Sequence, residues 1–318
     1  MSKKISRLIL GVAALFAMQI SVFSQNAGGN WVRLESDNGE FSIELPNNEA
    51  SAYFYDKDGF YYNNNSPTGP FNFKEIQMLY GALDKTYMRV EIYRMPNPEV
   101  YLNEISRRRN FVFSKIKTDR KEFDIYKAEF DRSYEKIREL TENINFEIRY
   151  ISSDTHFYTI TVWNRGKSNP ISERFLSSMR LGAPSSGSAG EKVTKISALK
   201  PVTIEQIGGQ LSKQEADSVT DSPKIKSGTP GELFVLHVPP AGANFASPNM
   251  RAKGVIRFKT TYSKDGRVSR ILLVSGLPGG LNRLAFFSVL RTKFLPAEEN
   301  GEPKTIERVI VYDYTDIF

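Results

Sequence analysis

The chain has 318 residues, 40% hydrophobic and 25% charged, a balance that belongs to globular proteins and excludes a disordered one. Its formal charge is +7 and it has no cysteine, which excludes a disulfide scaffold, a thiolate metal site, a thiol nucleophile and a lipidated N-terminal cysteine. Only His156 and His237 are present, far apart in sequence, so neither a histidine metal cluster nor a catalytic triad is expected, and the scattered carboxylates nominate no general acid–base pair.

The N-terminus reads as a targeting segment. Lys3, Lys4 and Arg7 form a basic region, Leu8 to Phe23 is mostly apolar, and Val22-Phe23-Ser24 suits a signal peptidase, so residues 1–24 are expected to be a cleaved signal. The alternative is a retained inner-membrane anchor. Against it, the apolar run is short of the roughly 20 residues a bilayer needs, and Gln19 and Ser21 interrupt it. Without those three cations the chain keeps a modest positive excess, which fits a solvated basic surface or attraction to anionic envelope polymers. No nucleic-acid module is evident: zinc-finger spacing, an RNA-binding aromatic signature and a dense basic helix are all missing.

From Trp31 to Leu181 the pattern predicts one antiparallel-sheet α+β domain. Phe41 to Pro46 alternates as a strand and stops at the proline. Ala52 to Tyr55 leads into Asp56-Lys-Asp-Gly59, a turn signal that only faintly suggests a calcium loop, since the acidic count and terminal glutamate are lacking. Asn63 to Pro70 reads as a loop. Ile76–Leu83 and Tyr87–Tyr93 read as strands, the second alternating Met88, Val90 and Ile92 against Tyr87, Arg89 and Glu91. A helix is expected over Pro98–Arg109, with proline at its start and three arginines at its end. Strands follow at Phe111–Ile116, Phe123–Phe130, Asn145–Ile151 and Phe157–Trp163. Glu135 to Glu142 is either strand or helix by pattern alone. Ser172 to Leu181 closes the domain as a short helix running into a strand residue or two.

Residues 182–222 are expected to be a linker, beginning with the small, flexible run Gly182–Gly190. Beyond it, in the proline-broken stretch that leads into the last domain, only Leu233 to Val238 suggests a strand. The C-terminal domain, placed at 223–318, reads as strand, tight turn, strand, loop, helix, strand. Ile256, Phe258 and Tyr262 share one strand face and Val255, Arg257, Lys259 and Thr261 the other. Lys264-Asp-Gly266 supplies a tight hairpin. Asn282 is the expected helix cap, and Leu284, Ala285, Phe287, Val289 and Leu290 form its apolar face. In the last strand Ile306, Ile310, Tyr312 and Tyr314 oppose Val309, Val311 and Asp313. Three glycines between Gly276 and Leu281 lack the surroundings of a nucleotide fingerprint.

This last region resembles the C-terminal domain of TonB-type energy transducers. The resemblance rests on Gly254 opening the first strand, Asp265-Gly266-Arg267-Val268 at the turn, and Val274-Ser-Gly-Leu-Pro278 followed by Gly280-Leu281. Phe294-Leu-Pro296-Ala297 at the helix end and Gly301-Glu-Pro303 before the last strand complete it. It implies a final edge strand, carried here by Ile306, Arg308, Val309, Ile310, Val311 and Tyr312, that pairs with an extended peptide by strand addition. The implied partner is a protein or peptide of the cell envelope, an outer-membrane receptor in the transducer case, with peptidoglycan or a second copy of the chain as alternatives. The resemblance brings no cofactor, metal or catalytic residue. Trp31 to Leu181 in turn resembles the PsbP/Mog1-type α+β fold, through Trp31, Ser36, Gly39, Phe41, Ser42, Ile43, Leu45 and Pro46 at its start and Phe175 to Leu181 at its end.

Three features depart from a transducer: the cleavable leader in place of an anchor, the missing periplasm-spanning rod, and a poor match at Ser247–Arg251 to the helix before Gly254. The expectation is therefore a non-enzymatic, periplasmic or secreted binding or adaptor protein. An anchored transducer and an envelope hydrolase are the alternatives.

Overall fold

The computed structural model describes residues 30–57, 75–95, 111–182, 193–222, 231–238, 253–278 and 280–315. The expected leader, the Asn63–Pro70 loop, the Pro98–Arg109 helix, Ser247–Arg251 and most of the Gly182–Gly190 run lie outside these residues.

One strand sets the layering. In β5 (Thr86–Arg94) every residue from Thr86 to Tyr93 is buried. Because strand side chains point alternately to opposite faces, burial at both parities requires cover on both sides. Met88, Val90 and Ile92 enter one core cluster, and Tyr87 and Tyr93 enter another.

β5 lies inside an eight-stranded sheet with β3 (Ala52–Asp56), β4 (Glu75–Leu83), β6 (Phe111–Ile116), β7 (Asp124–Phe130), β8 (Ile144–Ser152), β9 (His156–Arg165) and β12 (Pro201–Val202), in the order β12-β3-β4-β5-β9-β8-β7-β6. All its pairings are antiparallel except the short β12–β3 pair. The ambiguous stretch after β7 is helical, forming α1 (Glu135–Thr141).

One face of this sheet is covered by a four-stranded sheet of β1 (Trp31–Glu35), β2 (Phe41–Pro46), β10 (Arg180–Leu181) and β11 (Val193–Lys195), together with α2 (Pro170–Ser177). Asn169 starts α2 with a capping box to Ser172, and Pro170 takes the first turn, where its missing N–H costs nothing. Glu44 on β2 ties the layer together by bonding Arg33 at 2.8 Å and Arg174 at 3.1 Å.

The other face is covered by the C-terminal part. There β15 (Val255–Tyr262), β16 (Val268–Ser275) and β20 (Ile306–Asp313) join β13 (Gly208–Gln210) in the order β13-β16-β15-β20, with α5 (Leu281–Leu290) packed on β15 and β16. Alternating burial along β15 matches the amphipathic pattern of its sequence. One core cluster contains Phe54, Tyr80 and Trp163 from the large sheet as well as Phe258, Phe287 and Phe294 from the C-terminal part.

Two local expectations are corrected. The helix stops at Leu290, and Lys293–Leu295, expected at its end, is strand β17, antiparallel to β14 (Phe234–His237). All three β17 residues are buried, and the ladder with β14 satisfies the backbone groups on that side, where a last helical turn would leave carbonyls open. Asn282 does not cap the helix: Gly280, at φ 81, is the N-cap, and Asn282 Oδ1 instead accepts the backbone N–H of Leu277 at 2.8 Å.

The stretch 193–222, expected within the linker, is built into the sheets. β11, β12 and β13 add in parallel to β1, β3 and β16, and α3 (Ile204–Ile207) and α4 (Lys213–Asp217) lie between and after them. Each addition is two or three residues long, below the length at which alternation shows in a sequence. After β17, a hairpin of β18 (Ala297–Glu299) and β19 (Glu302–Lys304) turns through Asn300 and Gly301, both at positive φ.

A candidate docking edge and a buried charge cluster

Among the described residues, β20 ends its sheet and pairs with β15 alone. In an antiparallel pair the N–H and C=O of alternate residues point to the neighbour and away from it. Val309 donates its N–H to Ser222 Oγ at 2.8 Å, away from β15, whereas Tyr314 donates to the carbonyl of Gly254 at 2.8 Å. The outward backbone groups are therefore those of Glu307, Val309, Val311 and Asp313, and the inward ones those of Ile306, Arg308, Ile310 and Tyr312.

The six nominated edge residues thus divide. Val309 and Val311 present outward donors, and the Val311 side chain is 43% exposed. Ile306, Ile310 and Tyr312 turn their side chains into the core cluster. Tyr312 bonds Ser288 at 2.9 Å, and burial pushes its hydroxyl up to about 12. Arg308 bonds the carbonyl of Glu307 at 3.1 Å. Asp221 and Ser222, nominated by no sequence signal, lie against this edge: Arg257 of β15 bonds Asp221 at 3.0 Å beside the Ser222 contact.

The motif residues hold the module in shape. Gly254 has φ 145, and a Cβ there would lie 2.8 Å from Leu277. Gly266 is at φ 80, and its missing Cβ leaves room for Tyr87 of the large sheet, whose Cδ1 would be 2.3 Å away. Asp265 accepts Arg267 N at 3.3 Å and pairs with Arg267 Nε at 2.7 Å; burial raises its carboxyl above the ordinary value, against the pull of Arg267. Phe294 is fully buried, edge-on to Tyr262 at 4.8 Å, and Pro296 is buried after it. Gly301 offers its carbonyl to Lys85 at 2.6 Å.

Between the large sheet and the C-terminal part lies a cluster that sequence inspection passed over. Glu91, wholly buried, receives Lys293 at 3.0 Å and the Tyr93 hydroxyl at 2.5 Å, with Arg89 at 3.5 Å and Arg291 at 3.6 Å. Arg89 also bonds the carbonyl of Thr292 at 3.0 Å and stacks over Tyr80 at 4.7 Å. Burial favours protonated Glu91, but Lys293, Arg291, Arg89 and the Tyr93 hydrogen bond overcome it and hold the carboxyl well below the usual range. Among the described residues three cations converge on this one anion. Lys293 is the member that yields: burial pushes its amine down to about 7, and Glu91 only partly offsets the shift. The one available signal was Arg89 and Glu91 standing between Tyr87 and Tyr93 on the same strand face.

Among the described residues there is no group of three or more histidines and carboxylates placed to hold a metal ion, and no helix is long and apolar enough to cross a membrane. No protein-family model matches the chain, and no curated protein matches it.

Proposed function

We propose that this chain is an exported cell-envelope binding or adaptor protein of two units: an α+β domain of PsbP/Mog1 type, and a TonB-like C-terminal module that docks an extended protein or peptide by strand addition at β20. The observation that carries the reading is the outward row of donors and acceptors on an edge strand, from Glu307 to Asp313, covered by Ser222 at Val309. An incoming strand pairs first at Val311 and then displaces the Ser222 hydroxyl. This costs one side-chain contact and returns a ladder of main-chain bonds. Export follows from the basic and apolar residues 1–24. The β15–β16–α5–β20 order supports the TonB resemblance, and the reading assigns no chemistry to the module.

A photo-crosslinking amino acid at position 311, in the native cell, tests the reading. Position 112 is the control: Val112 is 54% exposed on β6, at the end of the other sheet. A discrete adduct from 311 in the envelope fraction is expected, absent from 112. In a chain labelled at 313, Val311→Pro should abolish it, because proline removes an outward donor without touching the β15 ladder. Equal labelling from both positions, or an adduct indifferent to the proline, would overturn the docking role.

A further inference from the structure

Away from β20, the small sheet, the large sheet and the connecting stretch converge on a cleft of about 310 Å³. A second cleft of about 240 Å³ adjoins it and shares Ala52, Tyr53, Tyr80, Val202 and Arg267. These volumes suit a small organic ligand, and junctions between layers are where such sites form.

The lining has two chemical characters. Leu34, Leu45, Leu79, Leu199 and Val202 supply an apolar wall. Lys200 and Arg267 supply two positive charges, and among the described residues neither cleft is lined by a carboxylate. Lys200 is exposed and has no acidic partner among those residues. Arg267 is paired through Nε with Asp265 at 2.7 Å, and Asp265 does not line either cleft.

An apolar wall alone would accept any oily molecule. Two cations at the wall, with no lining acid to answer Lys200, select one that brings its own negative charge. We infer that this cleft binds a small amphiphilic anion, an unbranched apolar chain ending in a carboxylate. Its apolar body lies against the leucines and its head lies between Lys200 and Arg267. The site is independent of strand addition at β20, so either can fail alone.

Isothermal titration of the folded full chain with decanoate, below its micellar concentration, tests the assignment, with decanol as the uncharged control. Saturable decanoate binding is expected, about tenfold tighter than decanol, the difference a single well-placed charge contact makes. Lys200→Glu, at an exposed position, should weaken decanoate by a similar factor and leave decanol unchanged. Val202→Trp should fill the cleft and remove both. The absence of saturable decanoate binding, equal affinity for decanol, or affinity untouched by Lys200→Glu would each overturn the proposal.

Discussion

Trp163 on the large sheet donates its indole N–H to the carbonyl of Phe294 at 2.7 Å, joining residues 131 apart in sequence inside one core. Strand β17 therefore has two backbone partners, β14 on its ladder and an indole from another layer. Trp163→Phe keeps most of the apolar volume but orphans the Phe294 carbonyl and weakens the stack with Arg89. A loss of roughly 1–3 kcal/mol is expected, the usual cost of an unsatisfied buried group. Urea unfolding of the variant checks it. An unchanged midpoint would mean that water replaces the indole.

The Glu91 cluster makes an asymmetric prediction. Glu91→Gln removes the one anion that the described residues place among Arg89, Arg291 and Lys293, and takes the counter-charge from buried Arg89 and Lys293; a loss of about 3–5 kcal/mol is expected. Lys293→Met removes one surplus cation and leaves Glu91 paired with two arginines, so stability should hold or rise. Equal losses from the two variants would count against three cations sharing one anion.

The same cluster predicts a pH dependence. In the folded chain the Lys293 amine lies near 7, below its ordinary value, so between neutral and alkaline pH the unfolded state binds the extra proton. Stability must then rise with pH across that window. Buried tyrosines act in the opposite sense, their hydroxyls being raised in the folded state, but only where the unfolded hydroxyls ionise, near pH 10. From pH 7 to pH 9 a gain on the order of 1–2 kcal/mol is expected in urea titrations, and it should vanish in Lys293→Met. A slope that survives the substitution would assign it elsewhere.

Much of the fold could be read from alternation. β4 to β9 and β15 lie within a residue or two of their expected bounds, because strands of six to ten residues are long enough for their apolar pattern to show. What escaped were elements of two to five residues between 193 and 222, whose order comes from long-range pairing to β1, β3 and β16. The fate of Lys293–Leu295 escaped for the same reason. The edge character of β20 was accessible only through the resemblance. Which amides face outward required register, and the Ser222 cover required tertiary contact. The charge cluster was hidden because Arg89 and Glu91 look like a solvated strand face until Lys293 is brought against them from 202 residues away.

Gly266 gives a test of the seal between the layers. The hairpin turn needs positive φ and also presses on the Tyr87 ring. Gly266→Ala should cost about 1–3 kcal/mol, from backbone strain and the clash together. In a Tyr87→Ala background the clash part disappears and the strain part remains. A double-mutant cycle of unfolding energies should therefore show coupling between the two sites. Strict additivity would place the turn away from Tyr87.

Hydrogen exchange along β20 checks the register on which the docking edge depends. The N–H groups of Ile310 and Tyr312 lie inside the β15 ladder and should exchange slowly, while that of Val311, facing outward, should exchange fast. Val309 is intermediate, because Ser222 Oγ accepts its proton. Ser222→Ala leaves the ladder intact and should speed Val309 exchange by roughly tenfold, the equivalent of one hydrogen bond, with Ile310 unaffected. A bound partner strand should reverse the pattern, protecting Val309 and Val311 together. If Val311 were as protected as Ile310 in the isolated chain, its outer side would already be paired, and strand addition there would have no free ladder to join.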